Sequence, residues 1–301
     1  MTAELKLECL RHGAYRLNLA PELGGIVTEF TSHDRDEPRR WMRVATPEAL
    51  QRDAALASAC YPLVPFSNRI AGGEFTYEGR KIVLPRDTRV PPHAIHGHGW
   101  RGVWQVSDRL ESAVTLSYEH AEDSWPWRYR ATQRFELDDD GLRVEMTLTN
   151  LSETTMPSGL GLHPHFPVTQ GVRLKAAVAQ AHLAGETLLP VAHSSDHAAI
   201  GAMGRGDPLL RGLDLCFEGW DGEAEILWPE ESRGLRLSAS GGLRHLVVFT
   251  PPGKDFFCVE PVSHCINAVN LEGTEWGATG LVHLAPQGVL TAWAAFQPFD
   301  L

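Results

Sequence analysis

Arg128-Tyr-Arg-Ala-Thr-Gln-Arg-Phe-Glu-Leu-Asp-Asp-Asp-Gly-Leu-Arg-Val-Glu-Met-Thr-Leu-Thr149 decides the fold class. Tyr129, Ala131, Phe135 and Leu137 fall on one side of a two-residue period. After Asp-Asp-Asp-Gly, Leu142, Val144, Met146 and Leu148 do the same. Arg130, Thr132, Arg134, Arg143, Glu145 and Thr147 stand between them. Alternation on both sides of a glycine-containing turn predicts an antiparallel hairpin with one face on a core and the other in water.

The same period recurs outward from this pair. Tyr15, Leu17 and Leu19 alternate with polar or small residues, and residues 75–84 read as a second hairpin turned at Glu78-Gly79. Further strands are predicted at 225–228, 235–238, 281–284 and 289–296. Helical periodicity is thin. One helix is expected, capped by Thr46 with Pro47 in its first turn and running to about Ala59. The 28 glycines and 20 prolines punctuate the chain without a low-complexity linker or an internal repeat. The expected architecture is all-β: one large antiparallel sandwich over residues 1–301, with very little helix and a site built from strand ends and loops.

The net charge of −11 argues against nucleic acid or an anionic membrane as partner. No apolar run reaches membrane-spanning length, and Met1–Cys9 alternates in polarity, unlike a signal peptide. The five cysteines are odd in number, scattered and free of any C-x-x-C spacing. Free thiols in a reducing cytoplasm are therefore expected, rather than a disulfide frame or a zinc knuckle.

Five stretches place polar residues where packing does not call for them. Residues 246–249 and 256–259 are apolar runs flanking a Pro-Pro-Gly turn, and the second ends on Glu260 followed by Pro261. A carboxyl closing an apolar strand at a half-dry sheet rim would have a raised pKa suited to proton transfer; the alternative is a rim acid paired with a surface arginine. Tyr61-Pro-Leu-Val-Pro-Phe-Ser-Asn-Arg69-Ile70 presents Arg69, whose fork of donors suits sugar hydroxyls or a carboxylate, unless it simply ties down a buried loop. Pro91-Pro-His93-Ala-Ile-His96-Gly-His98-Gly-Trp100-Arg-Gly-Val-Trp104 packs three histidines into six residues. A metal site is one reading, but no further ligand lies nearby in the sequence and the next acid is Asp108. The glycines suggest a close backbone approach, and Trp100 and Trp104 suit the C–H faces of a sugar; loop packing is the alternative. His163 sits in Gly159-Leu-Gly-Leu-His163-Pro-His165-Phe-Pro167, able to give or take a proton near neutrality or to serve structure alone. Asp214 lies beside apolar neighbours in Gly212-Leu-Asp-Leu-Cys-Phe217, or is a turn or edge residue.

In this order, these stretches resemble the aldose 1-epimerase (galactose mutarotase) family. The resemblance rests on Pro65-Phe-Ser-Asn-Arg69-Ile70 with Gly73 and Phe75, and on His96-Gly97 with Gly99-Trp100 and Trp104. It rests equally on Gly161-Leu-His163-Pro-His165-Phe166, Leu213-Asp214 with Phe217, and Glu260-Pro261 with Asn267-Ala268. It implies a β-supersandwich of large twisted sheets and an isomerase that interconverts the α and β anomers of a free aldohexose. It implies Glu260 as general base and His163 as general acid, with Arg69, His96 and Asp214 holding sugar hydroxyls and Trp100 beside the substrate. It also implies no cofactor and no metal, a small aldose as the partner, and a monomer or homodimer. Two departures point to a divergent bacterial branch. A histidine, His165, stands where the family commonly has tyrosine, and Gly97-His98-Gly99 replaces a common Gly-Gly. Hexose-6-phosphate 1-epimerases are a neighbouring branch, for which Arg101 is the candidate phosphate cation. A non-catalytic carbohydrate-binding protein of the same fold, and a metal-dependent β-barrel enzyme using His93, His96 and His98, are the rival classes. For the epimerase, Glu260 is expected ionised and His163 protonated, giving a bell-shaped pH profile.

Overall fold

In the computed structural model residues 6–301 are described, so the first five residues of the stretch read for a leader lie outside them. Tyr129–Asp138 and Gly141–Asn150 pair from Tyr129↔Asn150 to Asp138↔Gly141, the hairpin that the alternation predicts. Asp138 Oδ1 accepts the backbone N–H groups of Asp140 at 2.9 Å and Gly141 at 3.1 Å, closing the turn. Gly141 has φ +133°, and a Cβ there would stand 2.4 Å from the Phe296 carbonyl oxygen. Gln133 is the polar residue on the inward side; it is buried and donates to the Gly25 carbonyl at 3.1 Å.

This hairpin lies within an eight-stranded antiparallel sheet. Its spatial order is Gln105–Arg109, Ala113–His120, Tyr129–Asp138, Gly141–Asn150, Val289–Asp300, Arg233–Ala239, Glu223–Trp228 and Arg173–Ala176. A second sheet of eleven strands runs Glu8–His12, Tyr15–Ala20, Ile26–Ser32, Cys60–Leu63, Gly161–Pro167, Phe256–Val262, His245–Phe249, Asp214–Glu218, Gln180–Ala184 and Pro190–Ser194. Arg39–Arg40 pairs to its side. The apolar faces of the two sheets share one core: Phe135, Val144 and Phe296 from the first meet Phe30, Phe166 and Phe257 from the second. Phe166 and Phe296 stand 6.4 Å apart across the interface. The opposite face of the eleven-stranded sheet carries a smaller core that includes Tyr61, Trp100, Val247, Val262 and Ile266. The expected all-β sandwich is observed.

The second predicted hairpin forms as Glu74–Tyr77 and Arg80–Val83, with positive φ at Glu78 and Gly79 as a tight two-residue turn requires. The single helix expected after Thr46 is two short ones, Pro47–Arg52 and Ala54–Ala57. Asp53 breaks the run in extended geometry, and its side chain caps the second piece by accepting the Leu56 N–H. Ala198–Arg205 is a helix the sequence did not announce, because Gly201 and Gly204 interrupt its apolar period. The five cysteines are all unpaired. No helix among the described residues is long and apolar enough to cross a membrane.

Candidate active site

Period two selects the site residues. On the central strands of the larger sheet, Leu162, Phe166, Phe257, Val259, Leu246 and Val248 enter the sandwich core. Their neighbours in sequence point the other way. Tyr61 pairs with His163, and Glu260 with Val247, which pairs in turn with Cys216. Strand pairing between Gly161–Pro167 and Phe256–Val262 is made at Gly161↔Val262 and again from His165↔Cys258. The rung between them, where His163 faces Glu260, is open. Pro164 and Pro261 stand beside that rung, and neither has an N–H to bond across it.

Glu260 is therefore not at a half-dry rim. It lies inside the Phe256–Val262 strand, in the middle of the sheet, and is 2% exposed. Pro261 does not end the ladder, because it pairs in register with Leu246 and Val262 follows opposite His245. His163 Nε2 stands 3.2 Å from Glu260 Oε1. Glu260 Oε2 and His163 Nδ1 are buried with no hydrogen-bond partner. Tyr61 stacks on the His163 ring at 4.3 Å and His165 stacks on it at 4.8 Å, which fixes the imidazole plane.

Burial opposes both of the expected charges. Burial is the leading cause for both groups and favours the neutral form of each. It holds the Glu260 carboxyl well above the usual carboxylate range, with Asp214 adding to the effect and Arg69 opposing it. It pushes His163 down to about 3, against a backbone hydrogen bond and with the Arg43 charge adding. Both shifts favour a carboxylic acid beside a neutral imidazole. That pair contains the same single proton as the ion pair expected from the sequence.

Arg69, Asp214 and His96 come together beside this pair. Arg69 Nη2 donates to Asp214 Oδ2 at 2.7 Å, and Nη1 donates to Asn68 Oδ1 at 3.2 Å. The Asp214 side chain is 20% exposed against 8% for Arg69, so the carboxylate is the outer member. His96 Nδ1 accepts the Asn68 N–H at 3.0 Å, which leaves the proton of the neutral ring on Nε2. Burial, with the nearby His163 and Arg69, holds His96 well below its usual value and keeps it neutral. Its ring meets His163 edge-on at 5.3 Å. Asn68, His96 and Asn267 all have left-handed backbone, an unusual concentration for residues other than glycine.

Trp100 does not offer a sugar-stacking face. It is 2% exposed, packed against Tyr61 at 5.4 Å and His96 at 5.6 Å, with the Arg101 guanidinium 4.0 Å from its ring. Its Nε1 donates to the Gly97 carbonyl. Trp104 is likewise buried and donates to Gly99. Both hold the glycine-rich loop from behind. His93, His96 and His98 do not converge. His93 Nδ1 accepts the Gly72 N–H, His96 turns to His163, and His98 stacks on His120 at 4.2 Å. Arg101, the candidate phosphate cation, is bound to Asp87 at 2.7 Å.

Two further residues support the site, and the sequence reading assigned neither a role. His264 Nε2 accepts the Ser67 N–H at 3.1 Å, and Asn267 donates its N–H to the Arg69 carbonyl while its Oδ1 accepts from Ala71. They clamp the Arg69 loop to the segment that follows Glu260. Asn267 was visible as part of a motif, but nothing in the sequence marked His264.

Known proteins match most of the chain. A sequence profile described as aldose 1-epimerase matches residues 7–297. The uncharacterized protein YphB of Escherichia coli K12 is 30% identical over 272 residues, covering 85% of this chain and 87% of that one. A crystal structure from Escherichia coli K12, provisionally assigned as an aldose 1-epimerase, superposes with a TM-score of 0.87 at 28% identity, covering 98% and 99% of the two chains. A galactose mutarotase-like protein from Clostridium acetobutylicum shares the fold, with a TM-score of 0.88 at 18% identity, covering 100% of this chain and 97% of that one.

Proposed function

Because the chain belongs to the aldose 1-epimerase family, we propose that it interconverts the α and β anomers of a free aldohexose by acid–base opening and closure of the ring. The observation that carries this reading is the His163–Glu260 pair. It joins two proton carriers 3.2 Å apart, and each keeps a second polar atom unpartnered. Opening the ring requires one proton taken from the anomeric hydroxyl and one given to the ring oxygen. A sugar hydrogen-bonded to both groups draws the shared proton onto His163, with no proton taken from solvent. Glu260 then accepts the anomeric proton while His163 protonates the ring oxygen and the bond from that oxygen to C1 breaks. The free aldehyde turns about C1–C2 and closes on its other face, with the roles of the two groups reversed. Arg69 and the Nε2–H of His96 donate to sugar oxygens, and Asp214 accepts from a hydroxyl. An unphosphorylated sugar is favoured because the Arg101 charge is already matched by Asp87.

The test is polarimetry of freshly dissolved α-D-glucose and α-D-galactose, with wild type and Glu260→Gln, across pH. Wild type is expected to speed mutarotation of at least one sugar. Glu260→Gln is expected to lower kcat by about 10²–10⁴ with KM nearly unchanged. Activity falls in acid when the pair gains a second proton and in base when it loses its only one. Failure of the wild type on both sugars overturns the free-aldohexose reading.

A further inference from the structure

His182, His193 and Glu218 lie on the same sheet face as Glu260, towards the edge, and the acid–base chemistry uses none of them. They come from three neighbouring strands. The register sets His182 opposite His193 on one side and opposite Cys216 on the other, with Glu218 two residues along from Cys216. One ligand atom from each lies within 4.8 Å of the other two. His182 Nε2 stands 3.1 Å from Glu218 Oε2, and His193 Nδ1 stands 3.8 Å from Glu218 Oε1.

We infer that His182, His193 and Glu218 form a binding site for one divalent transition-metal ion of the zinc class. Two donors on a tetrahedral zinc, each about 2.0–2.1 Å from the ion, stand about 3.3 Å apart. The two observed separations, each to a different oxygen of Glu218, fall on either side of that spacing. A hydrogen bond accounts for the shorter one and not for the longer, which is out of reach of a shared proton. His193 Nδ1, the atom that faces Glu218, is buried with no hydrogen-bond partner. Two imidazoles and one carboxylate, with a fourth position for water, are a set that zinc accepts. The side chains of His193 and Glu218 are each 27% exposed, which leaves an entry for the ion. Trp276 packs on His193 at 4.0 Å and edge-on to His182 at 5.3 Å, holding both rings in place.

Two other clusters lack this combination. His163, His165 and Cys258 are all buried, with no opening for an ion. In the cluster of His98, His120 and Asp123, the imidazoles already bond to Tyr129, Tyr118 and the Trp125 carbonyl. An ion at His182, His193 and Glu218 would tie Pro190–Ser194, the outermost strand, through Gln180–Ala184 to the strand that carries Asp214. The site would then brace that side of the cleft without taking part in proton transfer.

The experiment uses purified full-length chain, stripped with chelator and then equilibrated with Zn²⁺ or Co²⁺. Wild type is expected to retain one equivalent, to show the visible absorption of tetrahedral cobalt, and to melt at higher temperature with zinc than without. Glu218→Gln and His193→Gln are expected to bind about tenfold more weakly or worse, and to lose the zinc-dependent rise in Tm. The metal-free Tm of each variant, compared with metal-free wild type, reports folding separately. Absence of the tetrahedral cobalt spectrum in wild type overturns the inference. So does an equivalent of metal retained with the same affinity in both folded variants.

Discussion

A carboxyl that is 2% exposed and whose native pKa is pushed up by burial sets up a stability difference that grows with pH. The native pKa of Glu260 lies above its ordinary value of 4.5, so the unfolded chain gives up this proton first as pH rises. The stabilisation is fully present below about 4.5 and drains away at up to about 1.4 kcal/mol per pH unit until the native pKa is reached. A glutamine has the same shape, does not titrate, and is able to donate to His163 Nε2. Glu260→Gln is therefore expected to melt above wild type at pH 8, with the gap closing as pH approaches 4.5. A gap that does not vary with pH would show that Glu260 is ionised in the resting protein. The identity of this acid was legible in the sequence as a carboxylate after an apolar run. Its charge state was not, because that depends on the sheet around it and on Asp214 and Arg69, which lie far away in sequence. Trp100 shows the same limit: a tryptophan among glycines marks a tight loop, but only the packing of Tyr61 and Arg101 reveals that its faces are covered.

The loop carrying His96 depends on an approach that no side chain would allow. Gly97 has φ +68°, and a Cβ there would stand 2.3 Å from the Val64 carbonyl oxygen and 2.6 Å from its carbon. The N–H groups of His98 and Gly99 both donate to that same carbonyl, so the contact fastens the loop to the segment that leads into Arg69. Gly97→Ala meets backbone on one side and a disfavoured φ on the other. It is expected to cost about 2–3 kcal/mol in urea unfolding and to raise KM, since His96 moves with the loop. An unchanged Tm together with an unchanged KM would mean that the loop is not under this constraint. The glycines were readable as a sign of close approach. Their partner was not, since Val64 belongs to another stretch and the sequence holds no record of the contact. Helices mark the same boundary. Thr46 announced a helix start correctly, whereas the break at Asp53 turned on whether its side chain would cap or continue.

The sandwich class was legible in the alternation between Arg128 and Thr149, because period two needs no knowledge of partners. The order of strands was not. Gly161–Pro167 lies between Cys60–Leu63 and Phe256–Val262, and no local pattern brings those segments together. That arrangement has a consequence for the whole molecule. It buries His93, His96, His163, His165, His182, His245 and His264 and half-buries His98, and in each of them burial is the leading cause of a lowered pKa. An imidazole held neutral contributes stability above its unfolded pKa of about 6.5, and loses it as pH falls towards the native value. Each one removes up to about 1.4 kcal/mol per pH unit over that window. Glu260 acts in the opposite sense, one group against eight. Unfolding free energy in urea is therefore expected to fall steeply between pH 7 and pH 5, with an unchanged m-value and net proton uptake on unfolding. A free energy that stays level over that range would require these histidines to be charged in the folded protein, and would remove the physical basis for a neutral His163 beside Glu260.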